Sequence, residues 1–172
     1  MTPTIRLSVA ARDEHEIVMT RKFAAPRELV FAALTRPELL RRWYGPHGYQ
    51  LVVCEVDLRV GGQWRYVVRA PDASEMVLRG TYREIEPPTR LVQTEVNEDC
   101  WAAAGVDATI TTELTDVEDG TLLTATNWYP SAAVRDDVLR SGMERGVGQA
   151  YEKLETAISF DAQISDRQEV LS

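Results

Sequence analysis

Apolar and polar residues alternate in short runs over most of this chain, and near residue 131 the period changes. Residues 15–23 place Ile17, Met19 and Phe23 on one parity, which predicts a strand. Pro26 then opens a short helix with Leu29, Val30, Ala33 and Leu34 on its apolar face, and Pro37 begins a second one that runs to Trp43. After a Gly-rich turn at 45–48, strands are predicted at 51–57, 63–70, 76–86, 91–96, 107–115 and 121–129. Their connections are short, which implies an antiparallel meander, because parallel strands need long crossovers. From 131 to 160 the pattern is helical: Met143, Val147, Ala150, Tyr151, Leu154, Ala157 and Ile158 make one stripe, with Ser131 as the N-cap. The expectation is an α+β fold, a curved antiparallel β-sheet of six to seven strands wrapped around a long C-terminal helix. Residues 1–14 read as a loosely ordered N-terminal segment, 15–160 as a single domain and 161–172 as a polar C-terminal tail.

An amphipathic helix needs an apolar surface to cover, and the sheet is the one available. A helix laid across a curved sheet can enclose a cavity. The aromatic and sulfur side chains expected mostly to converge there are Trp43, Tyr44, Trp64, Tyr66, Met76, Tyr82, Trp101 and Tyr129, and the closing helix adds Met143, Gly146, Val147 and Tyr151. Such a set suits a pocket for a hydrophobic or aromatic molecule, and it equally suits a filled core. Gly142, Gly146 and Gly148 each cost the helix about 1 kcal/mol relative to Ala, so close packing, a kink or added room must account for them.

Composition narrows the partners. Apolar residues are 44% of the 172, enough for a sizeable core, and the net charge of −8 disfavours nucleic acid and anionic membranes. No apolar run reaches the roughly 18 residues of a membrane span, and the first residues do not read as an export signal, so a cytoplasmic location is expected. Cys54 and Cys100 lack a CxxC partner and are expected as buried thiols. Two histidines, His15 and His47, are too few for a zinc site, so neither metal nor cofactor is expected. No serine has a nucleophile-elbow or triad context. Glu55, Asp57 and Glu84 share parities with apolar strand positions, whereas Glu113 opposes its apolar face. Asp57 and Arg59 read as a rim ion pair.

Four segments carry a family resemblance. They are RKFAAPRELVFAALTRPELLRRWYGP, DLRVGGQWRY, GTYREIEPPTRLVQT and SGMERGVGQAYEKLETAI, within about residues 15–160. Together they resemble the helix-grip fold of the SRPBCC superfamily, which includes START lipid-transfer domains and the birch-pollen allergen proteins. The nearest resemblance is to the branch named after the activator of the 90-kDa heat-shock protein's ATPase. It implies a small hydrophobic ligand held between sheet and C-terminal helix. A second implication is a polyketide cyclase or aromatase-like enzyme, with Glu55, Asp57, Tyr66 and Tyr82 as the candidate groups and no assigned catalyst. The branch name adds a third, a chaperone-associated module, although the separate N-terminal domain of the eukaryotic co-chaperone has no counterpart here. Exposed sheet edges make homodimerisation an open expectation.

Overall fold

Alternating segments joined by short turns can pair only with their neighbours, each antiparallel to the last. The computed structural model describes residues 6–98 and 107–171, with 160–171 as backbone only. Its elements are β1 (Ser8–Arg12), β2 (Glu16–Phe23), α1 (Arg27–Thr35), α2 (Pro37–Trp43), β3 (Gln50–Val56), β4 (Gln63–Arg69), β5 (Glu75–Glu86) and β6 (Arg90–Asn97). They continue with β7 (Ala108–Val117), β8 (Gly120–Trp128), α3 (Ala132–Arg140) and α4 (Met143–Leu171). One eight-stranded antiparallel sheet results, in the order β1-β2-β8-β7-β6-β5-β4-β3. The two short helices and α4 cover one face of it.

Two expectations about the ends are corrected. Residues 8–12, read as part of a loose lead-in, pair with β2 from Ser8↔Thr20 to Arg12↔Glu16 and add the eighth strand. The chain beyond 160, read as a polar tail outside the helix, continues α4 to Leu171.

A third correction concerns the closing segment, which is two helices. Ser131 caps α3 as predicted, its hydroxyl accepting the Val134 N–H at 3.2 Å. The chain then breaks at Gly142, whose φ of +86° is left-handed and suits a residue without Cβ. Arg135, buried on α3, donates to the carbonyls of Asp13 and Glu16 and so fixes α3 to the β1–β2 turn. The stripe on α4 is buried from Ala150 to Ile158, whereas Met143 and Val147 at its start are half-buried. Leu154 and Ile158 are almost fully excluded from water. Each contributes roughly 2 kcal/mol of apolar burial.

Register decides which side chains face the helices. On β2 the buried positions are Ile17, Met19, Arg21 and Phe23, and on β4 Trp64, Tyr66 and Val68. Two bulges change the phase of neighbouring strands. One lies between Leu51 and Val53 of β3 and the other between Tyr82 and Glu84 of β5. An extra residue in one strand moves every later side chain to the opposite face. Cys54 is therefore buried and Glu55 exposed, and Ile85 packs on the core while Glu84 turns outward to Arg90 at 2.8 Å.

Gly80 lies opposite Trp64 on β5. A Cβ at this position would stand 1.8 Å from the Thr94 carbonyl oxygen and 2.7 Å from the indole nitrogen of Trp64. The sheet can close over Trp64 only because that side chain is missing.

Candidate functional site

Three walls enclose a cavity of about 360 Å³. The floor is the concave face of the sheet, with Met19, Leu78, Leu91, Ile110 and Ala125 among its apolar residues. One side is made by Leu34 of α1, Leu40 and Trp43 of α2, and the following Tyr44, Gly45 and Pro46. The opposite side is α4, through Met143, Gly146, Val147, Ala150 and Tyr151.

Aromatic rings form a continuous belt that passes through these walls and ends in the core on either side, at Trp64 and Phe23. Trp64 leans on Tyr66 with ring centroids 4.7 Å apart, and Tyr66 meets Tyr44 edge-to-face at 4.9 Å. Tyr44 touches Trp43 at 5.4 Å, Trp43 touches Tyr151 at 6.1 Å, and Tyr151 meets Phe23 at 5.6 Å. Trp43 is held by its indole N–H, which donates to the Ala33 carbonyl at 2.8 Å and locks α2 to α1.

The segment at Gly45–Pro46 is tied to α4. The Lys153 ammonium donates to the Gly45 carbonyl at 3.1 Å, and the His47 backbone N–H donates to Gln149 at 3.2 Å. Gly146 faces this segment: a Cβ there would touch Pro46 at 3.4 Å, an ordinary contact. Gly148 has nothing within 4 Å. Close packing therefore explains little at Gly148, and Gly142 serves the helix break.

The structure distributes the sequence-predicted residues unevenly. Trp43, Tyr66, Met76, Met143, Gly146, Val147 and Tyr151 lie on the cavity wall. Trp64 and Tyr82 are buried outside it, in the core beneath the turn that contains Gly61 and Gly62. Tyr129 is buried beyond the end of β8, where its backbone N–H donates to the His15 carbonyl. Trp101 and Cys100 lie outside the described residues. The strand carboxylates singled out from the sequence do not reach the cavity. Glu55, Glu84 and Glu113 are exposed, and Asp57 makes the expected rim pair with Arg59 at 2.8 Å. His47, in the turn after Tyr44, points to Glu152 on the outer surface at 3.2 Å.

Sequence reasoning missed the polar stripe. Gln93, Glu95 and Asn97 of β6 all face the cavity, joined by Thr112 of β7 and Asn127 of β8. Asn97 donates to the Met76 sulfur at 3.3 Å. The side-chain oxygen of Asn127 is buried and accepts no hydrogen bond. Glu95 is the single acidic residue of the lining, and no Lys, Arg or His lines the cavity among the described residues. Loss of water around Glu95 pushes its carboxyl up to about 7 from an ordinary 4.5.

Burial also raises the phenols, with Tyr151 reaching about 12 and Tyr44 and Tyr66 well above their ordinary value of 10.0. The nearby Glu95 charge adds to the effect at Tyr44 and Tyr151. These hydroxyls thus stay protonated and can donate. Burial raises the Cys54 thiol too, which keeps it from acting as a thiolate. The signal for Glu95 in the sequence was its shared parity with Leu91. The opposite parity, Val92, Thr94 and Val96, is the more apolar one and pointed the wrong way.

The family model described as "Activator of Hsp90 ATPase homolog 1-like protein" matches residues 24–159. Among solved structures, a Rhodobacter sphaeroides protein is 29% identical and superposes with a TM-score of 0.83, over 90% of this chain and 98% of its own. A Nitrosomonas europaea protein is 27% identical, with a TM-score of 0.77 over 89% of this chain and 99% of its own. A Silicibacter pomeroyi protein named AHSA1 shares the fold at 20% identity and a TM-score of 0.70, over 85% of this chain and 99% of its own. No curated protein matches the chain. No helix among the described residues is long and apolar enough to cross a membrane.

Proposed function

The chain belongs to the activator of Hsp90 ATPase homolog 1-like family, and on that premise we propose that it binds a small hydrophobic or aromatic molecule between its sheet and α4. The observation that carries this reading is the cavity itself. Its volume of about 360 Å³ lies within the range of small-molecule sites, roughly 300–1,000 Å³, and its walls are mainly apolar and aromatic with a few polar groups on one stripe. A core packed only for stability leaves few voids larger than a water molecule.

Native mass spectrometry of freshly purified protein tests the proposal. A retained small molecule, or saturable binding of an apolar fluorescent dye such as ANS, is expected. Gly146→Phe places a ring beside Pro46 and Val147 and should abolish either signal while the protein remains folded. Failure of wild-type protein to bind any apolar molecule removes the proposal.

Glu95 favours a second reading. A carboxyl group that exchanges its proton near neutral pH inside an apolar cavity has the property that general acid–base catalysis requires. A cyclase- or aromatase-like conversion of the bound molecule would use it. That reading stands only if wild-type protein converts a ligand that Glu95→Gln binds without converting.

A further inference from the structure

Two acceptors on the cavity lining, Glu95 and Asn127, have no donor among the described residues. The Glu95 carboxylate makes no hydrogen bond or ion pair among the described residues, although it faces a cavity lined mainly by apolar groups. Asn127, 8% exposed, directs an unpaired carbonyl oxygen into the same region from β8. An unpaired acceptor shielded from bulk water costs about 1–3 kcal/mol, more when it is charged, so buried Asn127 and half-buried Glu95 both favour a ligand that supplies donors.

Nearby protein cations are already engaged. Arg21 of β2, buried beside the cavity, is bound to Glu155 at 2.7 Å and lies 4.3 Å above the Phe23 ring. Lys153 is turned outward to the carbonyls of Gly45 and Pro46. The ionisable groups that face Glu95 are phenols: Tyr44 after α2 and Tyr151 on α4, with Tyr66 of β4 against Tyr44. All three remain neutral, and their rings, with that of Trp43, offer π-faces that attract a cation.

We propose that the cavity is selective for a small amine, an aromatic or aliphatic body carrying one ammonium group, with Glu95 as the counter-ion and Asn127 as a second acceptor. This rests on the reading that the cavity binds a small molecule, and it names the chemical class of that molecule. A carboxylate or phosphate ligand is disfavoured by the same geometry, since it would meet Glu95 with no cation on the lining among the described residues. The aromatic belt fits an arylalkylamine best.

The test compares three probes of similar size: 2-phenylethylamine, 2-phenylethanol and 3-phenylpropanoate. Binding is measured calorimetrically at pH 8 on wild-type protein and Glu95→Gln. The amine is expected to bind wild type at least about tenfold more tightly than the alcohol, with the propanoate weakest, and the preference should vanish in the variant. Wild-type protein supplies an independent measurement. At pH 7, amine binding should release about half a proton, read from two buffers of different ionisation enthalpy, because the bound ammonium draws Glu95 fully into its charged form. The alcohol should release none.

Equal affinities for amine and alcohol, a preference that survives Glu95→Gln, or amine binding without proton release would each overturn the inference. If ANS binds but the amine shows no advantage, the small-molecule cavity stands and only its selectivity is refuted. If neither ANS nor any of the three probes binds at millimolar concentration, the cavity reading fails and the inference fails with it.

Discussion

Glu95 should make this protein less stable as pH rises through neutrality. Its carboxyl ionises near 4.5 when exposed to water and near 7 in the fold, so the folded state holds a proton that the unfolded state has already lost. Below about pH 4.5 both states are protonated at this site and it contributes no pH dependence. Between about 4.5 and 7 the folded state binds one more proton, and stability falls by about 1.4 kcal/mol per pH unit. Above about 7 both states are ionised and the penalty is constant, at roughly 3 kcal/mol.

Glu95→Gln keeps the shape and removes the ionisation. Its advantage over wild type should therefore be near zero at pH 4.5 and reach about 2–3 kcal/mol at pH 8, equivalent to roughly 5–10 °C in Tm for a chain of this size. Urea titrations of both proteins at half-unit pH intervals measure the difference. The contributions of all other ionisable groups cancel in that comparison. A difference that is the same at pH 5 and pH 8 would show that Glu95 is solvated in the folded protein, and the account of its environment would be wrong.

Further substitutions probe the frame around the cavity. Gly80→Ala forces a Cβ against the Thr94 carbonyl and the Trp64 indole, and should cost about 3 kcal/mol or more in urea unfolding. Glu155→Gln strands the buried Arg21 guanidinium and should cost about 2 kcal/mol; Arg21→Met combined with Glu155→Leu should recover most of it, as a double-mutant cycle would show. Gly148→Ala, in open space within α4, should stabilise by about 1 kcal/mol, whereas Gly142→Ala, at a left-handed φ, should destabilise by a similar amount in thermal unfolding.

Much of the architecture was written in the sequence because local rules govern it. Pro37 starting α2, Ser131 capping α3 and the stripe ending at Ile158 each depend on residues within a turn or two. The alternation of Trp64, Tyr66 and Val68 against Arg65 and Arg69 was equally readable, since strand period is local. β1 escaped because its residues are mostly exposed and gain their order from pairing with β2, which no short window encodes.

The site was only half legible, for a similar reason. Its aromatic wall followed from which helix and strand faces are apolar. Its polar stripe did not, because Gln93, Glu95 and Asn97 look like a solvent face until the sheet curves around them. Two single-residue bulges sent Glu55 and Glu84 outward, and bulges depend on cross-strand register that the sequence pattern does not state. The sequence by itself determined seven of the eight strands, their antiparallel order and the helical character of the segment that closes them. Tertiary structure alone decided which carboxylate lost its water: desolvation is a property of everything that surrounds a group, and for Glu95 those surroundings come from all three walls of the cavity.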